Sequence, residues 1–80
     1  MFPDRSTPLF STADLLATGA RARALDEWRD AAELVWTRWH AFLEAEPPAR
    51  RWAFAAYVAA LDAESAAAGA VASVPTARAA

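Results

Sequence analysis

Large apolar residues recur in alternating steps of three and four along one stretch of the chain. They are Leu25, Trp28, Ala32, Val35, Trp39 and Phe42. Because an α-helix completes a turn every ~3.6 residues, this spacing places them all on one stripe of a helix. Trp36 and Leu43 each follow a member of the stripe by one position, so they lie directly beside it. The pattern predicts a long amphipathic helix whose apolar side needs a partner.

The start of this helical region carries a capping signal. Ser11 and Asp14 stand in the S-x-x-D arrangement of a capping box, which predicts that a helix begins at or just after Ser11. Gly19 follows and either ends a short helix or is tolerated inside a longer one. We predict a break at Gly19, because a short helix over residues 11–18 leaves a long helix over 20–45 that matches its neighbour in length. The alternative is a continuous helix.

Two prolines end the long helix and open the second one. The residue before a proline is displaced from the α region, and Pro47 is itself followed by Pro48. Pro48 suits the first turn of a new helix, where its missing amide hydrogen breaks no bond. The second helix is predicted over residues 48–70, and the short link makes the two helices an antiparallel hairpin.

The remaining segments complete a single small helical domain over residues 1–80. Residues 1–10 contain two prolines and are expected to form an extended arm. Residues 74–80 begin with Val74-Pro75, which a helix does not pass, and are expected to form a flexible tail. The predicted fold class is therefore all-α, with a short helical segment preceding a two-helix hairpin.

Two different seams run along the second helix. Alanines form a shallow trough, which we expect to receive the large side chains of the first helix. The trough consists of Ala56, Ala59, Ala63, Ala66 and Ala70. Trp52 is expected beside Phe42 near the turn. The residues predicted to form this intrachain core are Leu25, Trp28, Val35, Trp39, Phe42, Trp52, Ala56 and Ala59.

The second seam is bulkier and has no place inside one hairpin. The seam comprises Phe54, Val58, Leu61, Ser65 and Ala68. Its large members Phe54, Val58 and Leu61 are left uncovered, and so are the flanking Trp36 and Leu43 of the first helix. Two helices in contact enclose no interior, so these side chains stay in water unless another helix covers them. We predict a homodimer that forms a four-helix bundle with these five residues at its interface. A helix of another protein is the alternative partner.

Composition removes other ways of stabilising so short a chain. The sequence has 80 residues, no cysteine and one histidine, so it has no disulfide and no thiolate metal site. His40 has Glu33 and Glu44 at helical spacing, but a single histidine supplies too few ligands for a zinc or di-iron site. We predict no catalytic residue, no cofactor and no metal. A metal-binding or small-ligand-binding bundle is the alternative.

The charges also argue against several partners. The net charge is −2 and the arginines are scattered among carboxylates, which disfavours nucleic acid binding. Arg50 and Arg51, at the start of the second helix, are expected to pair with Glu44 and Glu46 before the turn. An alternative function is a small regulatory accessory protein that contacts nucleic acid as a dimer. Its candidate contacts are Arg21, Arg23, Arg50 and Arg51.

Neither a membrane span nor export is expected. Residues 52–74 are long enough to cross a bilayer, but Asp62 and Glu64 would lie near its centre, at ~2.5–3.5 kcal/mol for the aspartate alone. The first residues lack the basic end and apolar run of an export signal, which favours the cytoplasm. Arginine without lysine and abundant alanine are typical of a bacterial protein from a GC-rich genome. Together these features predict a non-catalytic protein–protein interaction or oligomerisation module.

Overall fold

The computed structural model describes residues 11–75, and these form two long α-helices. Helix α1 spans Thr12–Glu44 and helix α2 spans Pro47–Ser73. Ala45 and Glu46 alone join them, and the two helices pack against each other as a hairpin. The part of the chain described is therefore all-α, without a strand, as predicted.

The start of α1 is held by the capping box expected from the sequence. The Ser11 hydroxyl accepts a hydrogen bond from the Asp14 amide at 3.0 Å, and the Asp14 carboxylate accepts one from the Ser11 amide at 3.3 Å. These two bonds satisfy amide groups that the first helical turn leaves without partners. The helix consequently begins at Thr12.

The predicted helix break at Gly19 is wrong, because α1 continues through this residue. A glycine stop requires a left-handed backbone conformation, and no described glycine has a positive φ. Glycine inside a helix costs about 1 kcal/mol relative to alanine, which the surrounding turns tolerate. The segment 11–18 is thus the start of α1, and the continuous helix that the sequence left as an alternative is the one observed.

The turn and the end of α2 follow from proline. Pro47 and Pro48 occupy the first positions of α2, after Glu46 in an extended conformation. The helix ends at Ser73, three residues later than predicted, and Val74 is extended ahead of Pro75. The predicted arm over residues 1–10 lies outside the described residues, as does all of the predicted tail beyond Pro75.

The hairpin has almost no buried interior. Among the described residues only Ala24 and Ala60 are buried, with 8% and 4% of their surface exposed. No large side chain is fully buried there, and nine large apolar side chains are exposed, among them Leu15 and Leu16 at the start of α1. Apolar burial is the main favourable contribution to folding, so a single hairpin of this kind is weakly stabilised.

One polar contact crosses the seam between the helices. The indole N–H of Trp28 donates a hydrogen bond to a carboxylate oxygen of Glu64 at 2.8 Å, and the pair is partly buried. A carboxylate acceptor makes this bond stronger than one between neutral groups. Because it joins one specific turn of α1 to one of α2, it fixes the register of the hairpin.

We expect removal of this acceptor to destabilise the fold. Glu64→Ala should lower the free energy of unfolding by about 1.5–3 kcal/mol, because the Trp28 indole N–H loses a charged partner. Glu64→Gln, which keeps an acceptor oxygen, should lose less. Urea denaturation at one fixed protein concentration measures both changes. Asp62→Ala, at an exposed position two residues away, is the control, and an equal loss in this control would contradict the assignment.

Candidate interaction surface

The contact seam of α2 differs by one position from the predicted alanine trough. The residues of α2 between Ala53 and Val71 that are buried or half-buried are Ala53, Ala56, Tyr57, Ala60, Glu64, Ala67, Ala68 and Val71. On α1 the facing residues include the predicted stripe: Leu25, Trp28, Val35, Trp39 and Phe42 are all half-buried. The stripe of α1 therefore meets α2, but on a different row of α2.

Two residues assigned to the intrachain core need correction. Trp52 is 69% exposed and Ala59 is exposed, while Ala56 is half-buried at the edge of the seam. The reason is Tyr57, whose ring fills space between the helices and contacts the ring of Trp39 at a centroid distance of 5.1 Å. A helix rotated to bring the alanine trough inward would turn this aromatic ring out to water.

Phe54 replaces Trp52 as the aromatic neighbour of Phe42. The rings of Phe54 and Phe42 lie 5.4 Å apart, and Phe54 also lies 6.2 Å from Tyr57. Sequence reasoning missed both Tyr57 and Glu64 as contact residues. The signal was present, because Ala53, Tyr57, Ala60 and Glu64 recur in steps of four, three and four.

The five residues predicted for self-association lie on one side of the hairpin, which we call the front face. Each follows a seam residue by one position, Trp36 after Val35, for example, and Leu61 after Ala60. In two antiparallel right-handed helices, residues that directly follow their seams point to the same side. The front-face residues of this apolar patch are Trp36, Leu43, Phe54, Val58 and Leu61.

Contacts around Tyr57 bear out this placement. A shallow, open groove of about 180 Å³ is lined by Val35, Trp36, Trp39 and Tyr57. Trp36 of α1 thus lies on the same side of Tyr57 as the groove. Its ring also stacks on the ring of His40, at a centroid distance of 6.0 Å. Of the five patch residues, Trp36 lines this groove.

The patch on the front face is exposed in the single chain. Exposed fractions are 66% for Trp36, 58% for Leu43, 48% for Phe54, and 37% for both Val58 and Leu61. A contiguous set of large apolar side chains in water is uncommon on monomeric proteins and marks a contact surface. This is the strongest candidate for a functional site among residues 11–75.

The opposite side, which we call the back face, is different in character. It is formed by residues that directly precede the seam, and on α2 these are Trp52 and a row of small alanines. The row comprises Ala55, Ala59, Ala63, Ala66 and Ala70. Leu34, 39% exposed, is the large apolar residue of α1 on this side, and the Arg51 guanidinium lies 5.3 Å from the Trp52 ring. The back face thus carries two large exposed apolar side chains, against five on the front face.

The charged residues form few contacts within the chain. Arg29 pairs with Asp26 at 3.5 Å, and both side chains are largely exposed, so the pair adds little stability. Among the described residues no other ion pair occurs within 4 Å. The predicted pairing of Arg50 and Arg51 with Glu44 and Glu46 is therefore not formed within the hairpin.

Residues 11–75 bring together no obvious site for chemistry. They contain no group of three or more histidine, aspartate or glutamate residues placed to hold a metal ion. His40 is exposed and stacks on Trp36. Of the arginines considered for nucleic acid, Arg21 and Arg23 lie towards the open end of the hairpin, whereas Arg50 and Arg51 lie at the turn. They therefore form no single basic surface.

Helix α2 meets the length and composition of a membrane-crossing segment. One such helix is weak support for a span, because core helices of soluble proteins satisfy the same criteria. Asp62 and Glu64 lie in its middle, and Glu64 is engaged by the indole of Trp28.

Comparison of the chain with protein-family models, curated proteins and solved structures found no match. The class of protein is therefore defined by the geometry alone. It is a two-helix hairpin with an apolar patch exposed on one face.

The seam and the back face should respond differently to truncation of an aromatic residue. Tyr57→Ala should lower the free energy of unfolding by about 2–4 kcal/mol, because Tyr57 fills the space between Trp39 and Phe54. Trp52→Ala should change it by less than about 0.5 kcal/mol, since Trp52 is exposed on the back face. Thermal unfolding followed by circular dichroism measures both. A larger loss for Trp52 would contradict the seam described here.

Proposed function

We propose that this protein is a non-catalytic self-association module, in which two copies cover each other's front faces and form a four-helix bundle. The observation that carries the proposal is the exposed patch formed by Trp36, Leu43, Phe54, Val58 and Leu61. Half of a four-helix bundle is a hairpin with one apolar side, and this hairpin has that form. A symmetric dimer places the same patch on both sides of the contact.

The free energy available from burying the patch is large enough to permit association. Moving a large apolar side chain from water to a buried site contributes about 1.5–3 kcal/mol. The patch supplies five such side chains per copy, all at least one-third exposed in the hairpin. Because these side chains are only 37–66% exposed in the hairpin, burying those of two copies contributes roughly 7–15 kcal/mol, which is comparable to the ~4–15 kcal/mol that association costs in lost freedom of motion. The dimer thereby obtains an enclosed interior that neither copy has.

A second copy fits this face better than the other partners considered. The net charge of −2 per chain causes little repulsion between two copies. A nucleic acid would meet an apolar patch and two separated arginine pairs, which offers no continuous contact with phosphates. A lipid bilayer would have to accommodate Asp62 and Glu64 in the middle of α2, at a cost of several kcal/mol. A helix of a different protein is the alternative occupant of the same face.

A charge placed in the patch should dissociate the dimer. We expect the unsubstituted protein to sediment as a dimer at micromolar concentration and Leu61→Asp to weaken the dimer at least about 100-fold, since the contact would bury an unpaired carboxylate. Analytical ultracentrifugation over a range of concentrations measures this. Ala59→Asp provides the matched control, because it adds the same charge two residues away on the back face.

Three results would overturn the proposal. A compact, folded monomer at micromolar concentration would show that the patch needs no second copy. Equal weakening by Ala59→Asp would move the contact to the back face or to both faces. Flotation of the protein with phosphatidylcholine vesicles, abolished by Leu61→Asp, would identify a bilayer as the occupant of the patch.

A further inference from the structure

The front face is not uniform along its length, and this restricts how two copies fit together. On the basis of the proposed dimer, we infer that the two hairpins associate with their turns at the same end. The twofold axis then runs parallel to the helices, and α1 of each copy packs on α2 of the other. The alternative is a dimer whose turns lie at opposite ends.

The position of the apolar patch carries the first part of this inference. The patch is confined to the half of the hairpin nearest the turn, between Leu43 and Trp36 on α1 and between Phe54 and Leu61 on α2. In the open half, the front-face positions that follow the seam by one residue are polar or small, apart from the half-buried Leu25. They are Thr18, Arg29, Glu33, Ser65, Ala68 and Ala72. However, Leu15 and Leu16 at the start of α1 are 60% and 68% exposed.

In only one arrangement do the two patches meet while the two hairpins are in contact along their whole length. With the turns together, each level of one hairpin faces the same level of the other, so both patches coincide and both open halves are also in contact. With the turns opposed, patches coincide only if the hairpins overlap by about half, which leaves both open halves without a partner. Patch meets patch in both arrangements, but only the first also covers the open halves, where the small apolar side chains of Ala68 and Ala72 are added to the buried surface.

Charges at the turn carry the second part. Glu44 lies in the last turn of α1, where no basic residue accompanies it, and Arg50 and Arg51 lie early in α2, where the first turn has no acidic residue. Both signs are unfavourable for the helix dipoles, which prefer cations at the C-terminus and anions at the N-terminus. Neither charge is relieved by an ion pair within 4 Å among the described residues.

A dimer with its turns together brings these unpaired charges to each other. The C-terminal end of α1 in one copy then lies over the N-terminal end of α2 in the second copy. Glu44 points away from α2 of its own copy, and Arg51 points away from α1 of its own copy. Both side chains therefore lie at the rim of the bundle. On that rim, Arg51 of each copy reaches Glu44 of the other if its guanidinium leaves the Trp52 ring, from which it lies 5.3 Å in the single chain. In the opposed arrangement, Arg51 of one copy lies at the height of Glu64 and Ser65 of the other copy instead.

Distances between spin labels separate the two arrangements. The chain has no cysteine, so a single introduced cysteine carries the only label. Arg23→Cys lies in the open half at an exposed site, and two such labels should be about 30 Å apart with the turns together and about 50 Å apart with the turns opposed. Thr37→Cys lies in the part of α1 that carries the patch, between Trp36 and Leu43. The two copies overlap there in both arrangements, so its labels should be within about 35 Å in both.

The two labels make the possible failures distinguishable. A short distance at both sites supports the inference. A short distance for Thr37→Cys with about 50 Å for Arg23→Cys overturns the inference and leaves the proposed dimer intact. No measurable distance at Thr37→Cys in the range up to about 60 Å overturns the proposed dimer itself.

Charge reversal gives an independent test at the rim. Glu44→Arg and Arg51→Glu should each weaken the dimer about two- to fivefold, because each places like charges together in the contact between copies. The double variant should regain most of the lost affinity, and mixing the two single variants should form heterodimers, because opposite charges then face each other at both rims. Sedimentation at low ionic strength measures these affinities. Additive weakening in the double variant would overturn the pairing.

Discussion

Two helices in contact cannot enclose an interior, and the exposed apolar surface of this hairpin follows from that constraint. Each helix has one side against its neighbour and the rest against water. Here the only buried residues among those described are Ala24 and Ala60. The large side chains of the α1 stripe are only half covered by α2. The fold is complete in its hydrogen-bonded backbone but incomplete in its burial of apolar surface.

The sequence was sufficient to predict the helices and the hairpin, because their signals are local. The capping box at Ser11 and the pair Pro47-Pro48 each act within one or two turns, and both behave as expected. The predicted helix break at Gly19 is wrong because a glycine that ends a helix and a glycine inside one have the same local sequence. The difference depends on backbone conformation and on the neighbouring turns, which residue type alone does not determine.

The rotation of α2 about its own axis was harder to predict, and Tyr57 shows why. An alanine row and the row beside it have almost the same spacing, so periodicity leaves two possible seams one residue apart. The choice depends on which row lets an aromatic ring fill the space between helices, and on the Trp28–Glu64 hydrogen bond. These are contacts between distant parts of the chain. The patch formed by Phe54, Val58 and Leu61 is exposed in the hairpin nevertheless, because neither choice of row turns it inward.

The interior of two alanines also has a consequence for the amount of this protein in a cell. If a second copy supplies the missing burial, folding and association are one equilibrium, and the folded fraction rises with total concentration. Copies made below the dissociation constant would spend more time open and would be degraded faster. Protein abundance would then respond to synthesis more steeply than in proportion, so that the chain accumulates only once its expression exceeds a threshold.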